Sequence, residues 1–269
     1  MWNLFQVVWR TERIPEKWKR STIIQIEKSK SKLGDLEGIR HIHDKDEFFK
    51  FFGNIVTQCA KETILRNMPR FQIACRPGHR PSEHLFVIRS IIQHYIGRKK
   101  SFLIIGYDLK KFFDFENLRD CLRSLYTLGV RGKIYRLLYK MNEKVKIEVK
   151  TPVGTSDSAE VKEIVSQGSP EAALISSANV SAGVDEAFAN SDKEIKYHDI
   201  NLNPQSYMDD VIRMAENRNN AQYGNDKMEE MVKKKVLQFN LDKSNYMIVG
   251  SKKGREKLNH KIPRRFSFV

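Results

Sequence analysis

The stretch "QSYMDDVIRMA" at 205–215 places two adjacent carboxylates, Asp209 and Asp210, among the apolar neighbours Tyr207, Met208, Val211 and Ile212. A third, Asp108, closes the apolar run "SFLIIGYDL" at 101–109. Like charges side by side repel, and neighbours on a regular strand point to opposite faces. Asp209 and Asp210 can therefore converge only in a tight hairpin turn. If the strand ending at Asp108 pairs with that hairpin, three carboxylates meet and raise one another's pKa unless a cation neutralises them. Hard oxygen donors suit Mg²⁺ or Mn²⁺. Two such ions about 3.5–4 Å apart stabilise both the attacking and the leaving oxygen of phosphoryl transfer.

The elements that would hold these acids are legible as patterns. The run at 101–109 reads as a buried strand, and Val145, Ile147 and Val149 alternate as a half-exposed one. Helices fit "DKDEFFKFFGNIVTQCAKETIL" behind its acidic first turn and "SEHLFVIRSIIQHYI" with Ser82 as N-cap. Two more fit "ENLRDCLRSLYTLG", with Gly129 as C-cap, and "GKIYRLLYKMN". Asp114 is expected to be the N-cap of the first of that pair. Gly168 and Pro170 precede a long small-residue helix, "EAALISSANVSAGVDEAFA". After the Asp209 hairpin come a helix through "NAQYGNDKMEEMVKKKVLQF" and a strand at "NYMIVG". The order strand–helix–strand–hairpin–helix–strand is that of a split βαβ layer with helices on one face, an α/β (α+β) class.

Composition narrows the partners. The chain has 269 residues, 40% of them apolar, enough for a substantial core. Its 48 Lys and Arg outnumber 33 Asp and Glu, which points to a polyanionic partner, nucleic acid before an anionic membrane. Cys59, Cys75 and Cys121 form neither a Cys-x-x-Cys pair nor an even set, so no disulfide framework or zinc site is indicated. His41 and His43 read as ordinary polar residues of a strand. No apolar run approaches the length of a spanning helix and the N-terminus lacks a secretory pattern, so an intracellular protein of cytoplasm or nucleus, without a membrane partner, is expected.

These residues resemble a known family. "YDLKKFFD" at 107–114 is similar to the first catalytic motif of reverse transcriptases, and "YMDD" at 207–210 to their Tyr-x-Asp-Asp box. Between them "VSQGSP" at 165–170 resembles Gln-Gly-x-Pro, and "LDKSNYMIVG" at 241–250 resembles the fourth motif. Upstream, "IPEKWKRSTIIQIEK", "EGIRHI" and "FQIACRPGHRPSEHLF" are similar to finger motifs of non-LTR retroelement polymerases. The motifs occur in the family's order over roughly residues 10–250.

The resemblance implies right-hand polymerase fingers and palm, with an antiparallel palm sheet backed by helices. Fingers are expected over 1–98, palm over 99–250 and a basic tail over 251–269, leaving no room for a helical thumb. It also implies roles. Asp108, Asp209 and Asp210 would hold two Mg²⁺ ions (Mn²⁺ being possible), with the Leu109 carbonyl assisting. Lys243 would act as general acid toward the leaving pyrophosphate. Lys28 and Arg40 would meet the incoming triphosphate, and Phe113 would exclude a ribose 2′-hydroxyl by volume. Gln167 and Gly168 would line the template–nucleotide site, and Tyr207 and Met208 complete the substrate-binding set. The implied partners are an RNA template, a DNA primer and deoxynucleoside triphosphates. An RNA-directed RNA polymerase shares the palm acids, and a decayed domain that only binds RNA is the non-enzymatic alternative. Departures from the family pattern include Glu171-Ala172-Ala173 where Leu-Ser-Pro is usual, and Gly38-Ile39 ahead of Arg40.

Overall fold

The apolar run of the first acid forms a strand buried along its whole length except at Gly106. In the computed structural model, which describes residues 2–28, 38–189, 191, 193–198, 200–202 and 204–259, the elements follow in chain order. They begin with α1 (Trp2–Thr11), β1 (Arg20–Glu27), β2 (Ile39–Lys45), α2 (Glu47–Asn67) and α3 (Pro81–Gly97). Next come β3 (Phe102–Tyr107), α4 (Phe112–Phe115), α5 (Leu118–Thr127), α6 (Gly132–Asn142) and β4 (Glu143–Thr151). Then β5 (Gly154–Thr155), β6 (Ala159–Glu163), α7 (Ala172–Phe188), β7 (Lys196–Tyr197) and β8 (Ile200–Asn201) follow. The last are β9 (Gln205–Tyr207), β10 (Asp210–Ala215), α8 (Arg218–Lys234), β11 (Asn245–Val249) and α9 (Lys252–Asn259). None of the described helices is long and apolar enough to cross a membrane.

The chain divides into two compact units, each built from two segments. One comprises 1–67 and 116–179, the other 68–115 and 180–269. Residues 68–98, read from sequence with the fingers, thus fall in the second unit, and 116–179 in the first. The first unit carries a sheet ordered β2-β1-β4-β5, with β6 also paired to β4. Only β1 and β4 run parallel in it. Beside it α2 buries Phe49, Phe52, Val56, Ala60 and Ile64, a spacing of three and four that marks one helical face.

The second unit holds the antiparallel sheet β11-β3-β10-β9. Its back face meets the later half of α7 and α8, where Leu103, Ile105, Tyr107 and Val211 pack on Val180, Val184, Met228 and Met231. On the front face α3 covers the lower half, setting Ile91 and Tyr95 against Phe102, Ile104 and Met214. Each fully buried aliphatic side chain here contributes about 1.5–3 kcal/mol, which holds β3 in the middle of the layer.

Two caps differ from expectation. Helix α3 starts at Pro81, whose fixed φ and missing N–H suit the first helical position, so Ser82 lies inside the helix. The Arg80 N–H donates to Glu83 Oε1 at 3.0 Å instead. Asp114 lies within α4, and Asn117 caps α5, its Oδ1 accepting from the N–H groups of Arg119 and Asp120 at 2.9 and 3.3 Å. Asn117 stands one position before the first helical residue, where a cap must stand; Asp114 is three residues too early. His43 does behave as a structural polar residue, with Nδ1 3.0 Å from Ser21 Oγ. Within the basic tail, Lys261, Arg264 and Arg265 lie outside the described residues.

Candidate active site

Strands β9 and β10 pair with Asp210 opposite Tyr207, which leaves Met208 and Asp209 as a two-residue turn. Met208 takes φ 59°, the left-handed value that such a turn demands of its first residue. That strain is held by Gln72, a fully buried side chain. Its Oε1 accepts from the Met208 N–H at 3.0 Å, and its Nε2 donates to the Met208 carbonyl at 2.9 Å and to Ser206 Oγ at 3.0 Å. Arg76 fixes the Gln72 loop in turn, donating to the carbonyls of Gln72 and Met68 at 2.8 and 2.6 Å. Sequence reading assigned no role to Gln72. Its signal was an amide inside the apolar run "FQIA", where an unpaired polar group would be costly.

Register brings the third acid in. Tyr107 on β3 pairs with Val211, so Asp108 and Asp210 stand opposite each other one step beyond the last pair. On the other side of β3, Gly106 pairs with Asn245, and the turn just before β11 brings Lys243 close enough to act on Asp209 and Asp210. The Asp108 backbone is pinned from that side: its N–H donates to Ser244 Oγ at 3.1 Å and its carbonyl accepts from Asn240 N–H at 2.8 Å.

Electrostatics registers the crowding. Burial pushes the Asp209 carboxyl above the ordinary carboxylate range, and Asp210 and Asp108 push it further; Lys243 opposes them. Burial and Asp108 do the same to Asp210, again against Lys243. Asp108, Asp209, Asp210 and Lys243 thus act on one another within one unit. Among the described residues no group of three or more His, Cys, Asp or Glu side chains is closed around a metal position. The donor chemistry fits a hard divalent cation all the same: the carboxylates destabilise each other's charge, and a cation between them removes that conflict.

The other predicted residues are placed as follows. Leu109 is buried and bridges to Phe239. Phe113 is partly buried and packs edge-on against Phe112 at 5.5 Å between ring centroids. Tyr207 is 39% exposed and Met208 partly so. In the first unit, Arg40 pairs with Ile26, and the Lys28 N–H donates to Gly38 O at 2.8 Å. Lys28, two residues after Ile26, therefore shares its sheet face with Arg40 as a diagonal neighbour. Gln167 accepts from the His43 N–H at 2.8 Å. Gly168 takes φ 108°, and a Cβ there would stand 3.0 Å from the His43 carbonyl oxygen, so the turn requires glycine on both counts.

The sequence profile described as reverse transcriptase (RNA-dependent DNA polymerase) matches residues 18–263. The chain belongs to that family. Its members are nucleotidyltransferases that generally use divalent metal ions. No curated protein sequence matches this one significantly. Among solved structures it is similar to the apo telomerase of Candida tropicalis lacking its C-terminal domain, at a TM-score of 0.63 and 14% identity over 92% of this chain and 55% of that one. It is similar also to the Candida albicans telomerase in complex with a fragment of telomeric RNA, at 0.63 and 13% over 91% and 45%. At those identities the likeness is one of fold, the fingers and palm of the family. The chain spans about half the length of these telomerases.

Proposed function

We propose that this chain is the RNA-directed DNA polymerase core of a non-LTR-type retroelement, extending a DNA primer with deoxynucleotides on an RNA template. The observation that supports it most is the meeting of Asp108 with the Met208–Asp209 turn at adjacent strand ends, in a chain of this family. Asp108, Asp209 and Asp210, with the Leu109 carbonyl, would hold two Mg²⁺ ions. When bound, such ions supply charge stabilisation for an in-line phosphoryl transfer. Gln72 keeps the turn in its strained conformation, so the carboxylates wait in place instead of being ordered at each turnover.

Lys243, in the turn before β11, donates a proton toward the leaving pyrophosphate. Lys28 and Arg40, sharing a face at the end of the β1–β2 ladder, receive the triphosphate as point charge and as bidentate fork. Gln167 and Gly168 border the template–nucleotide site, Tyr207 and Met208 the primer end. The Phe113 ring would exclude a ribose hydroxyl by volume, which favours deoxynucleotides over the ribonucleotides an RNA polymerase would take. Primer extension on an RNA template with Mg²⁺ tests the reading. Extension with deoxynucleotides and little with ribonucleotides is expected. Ribonucleotide extension would make the chain an RNA polymerase, and RNA binding without extension a binding domain.

A further inference from the structure

A second charged site lies in the same unit as the acids, at the far end of the sheet. A cavity of 350 Å³ opens where α3 ends, β3 begins and β10 finishes. Arg98 and Lys100 line it from the α3–β3 connection, Lys196 and His198 from β7 and its turn, and Glu216 from the residue after β10. Asp108 and Asp210 stand at the opposite ends of β3 and β10. Six strand residues at about 3.3 Å each put the two sites roughly 20 Å apart.

Arg98, Lys100 and Lys196 are exposed, and none of them has a carboxylate partner among the described residues. Glu216, the one described carboxylate at the cavity, is engaged by the Tyr95 hydroxyl at 2.5 Å. That hydrogen bond leaves the Glu216 charge in place, so three cations face one opening against a single carboxylate. His94 registers their field: burial holds its pKa below the usual imidazole range, and Arg98, His198 and Lys100 hold it lower still. A field that disfavours a proton favours an anion.

Rings stand at and behind the cavity: His94 and His198 line it, and Tyr197 packs behind them against the Ile91–Tyr95 core. The His94 ring lies 4.8 Å from Tyr197 and 5.4 Å from His198, and Tyr197 lies 4.6 Å from His198. Cations that track phosphates, set beside rings on which a base can stack, are what single-stranded nucleic acid requires.

We propose that this cavity is a second nucleic-acid contact, taking backbone phosphates of a single strand on Arg98, Lys100 and Lys196 with a base against the exposed His198 ring. The site would engage the strand about six nucleotide steps from the acids, at 3.4 Å of rise per step. It needs a nucleic-acid partner but not polymerisation, so binding alone can test it.

The experiment follows the anisotropy of a labelled 12-nucleotide RNA with the full chain over a salt series. The triple variant Arg98→Gln, Lys100→Gln, Lys196→Gln is expected to flatten the slope of log K against log salt by about 2, since each phosphate contact on a single strand contributes about 0.7. Lys100→Gln alone, at an exposed position that folding does not need, should flatten it by about 0.7. His198→Ala should weaken RNA binding severalfold while leaving the salt slope unchanged. Inorganic tripolyphosphate separates the two sources of phosphate. If the cations bind it and the RNA slope stays at the wild-type value in both charge variants, the nucleic-acid assignment is overturned. An unchanged RNA slope without tripolyphosphate binding overturns the site altogether. Loss of primer extension in otherwise normal binding bears only on the acids.

Discussion

The two faces of the four-stranded sheet treat charge in opposite ways. On the face of Asp210 and Ile212, acids gather at the strand ends, and burial together with the neighbouring acids raises the pKa of Asp209 and Asp210. On the other face Arg213 lies between Val211 and Ala215, wholly buried in an apolar layer, with its Nη2 2.7 Å from Glu194 Oε1. Its guanidinium also rests 4.4 Å over the Phe188 ring. Nearby, the Tyr107 hydroxyl donates to Asn225 Oδ1 at 2.6 Å, and burial pushes its pKa up to about 12. Arg213 is neutralised by an internal partner, whereas Asp209 and Asp210 keep raised pKa values with Lys243 opposing their burial and the neighbouring acids.

The first unit offers a third arrangement. Lys45 and Glu171 are buried near each other, yet Nζ of one and both carboxylate oxygens of the other make no hydrogen bond among the described residues. Glu171 is the residue that replaces the family's usual leucine. Burial holds the Lys45 pKa down while Glu171 draws it back up.

The largest effect should come from breaking the back face. Arg213→Met leaves the buried Glu194 carboxylate without its cation, and should cost about 3–5 kcal/mol in urea unfolding. Adding Glu194→Leu should recover most of that loss. A double variant no more stable than the single would show that the pair is not the self-contained unit described. On the front face, Asp209→Asn should lower primer extension at least about a thousandfold, roughly 4 kcal/mol of barrier, without loss of stability. An equal fall in stability would give the acids a structural role and remove the contrast.

A smaller change sharpens the fit around Arg213. A Cβ on Gly224 would stand 1.3 Å from Arg213 Nη1, so Gly224→Ala must displace the guanidinium. It should cost about 1–3 kcal/mol, and much less in an Arg213→Met background. The smallest effect concerns pH. The Asp209 and Asp210 pKa values are raised in the folded chain, so their contribution is most favourable below about pH 3.8 and is lost as pH rises through the raised values. Against an Asp209→Asn, Asp210→Asn variant, the wild type should therefore lose relative stability from acid toward neutral pH. Mg²⁺ should return it. A difference between the two proteins that does not change with pH would mean that the acids do not repel in the fold.

Sequence alone determined the local arrangement: the adjacent acids, their hairpin and the buried strand before Asp108 follow from local rules. Adjacent acids can converge only in a turn, whereas the carbonyl that leaves room only for Gly168 is that of His43 on a distant strand. The tertiary structure decided what depends on distant partners. Arg213 in a six-residue strand reads as a solvent-facing cation, because the Glu194 that permits its burial lies 19 residues away. Gln72 reads as a stray amide until β9 supplies the backbone groups it satisfies. The caps differ because Pro81 takes the first helical position and leaves the cap to Arg80, and because Asn117 stands directly before Leu118. Residues 68–98 fall with the acid-bearing unit because Gln72 and α3 find their partners on that sheet. Periodicity shows which face of an element seeks burial, but the residues that receive it come from the far end of the chain.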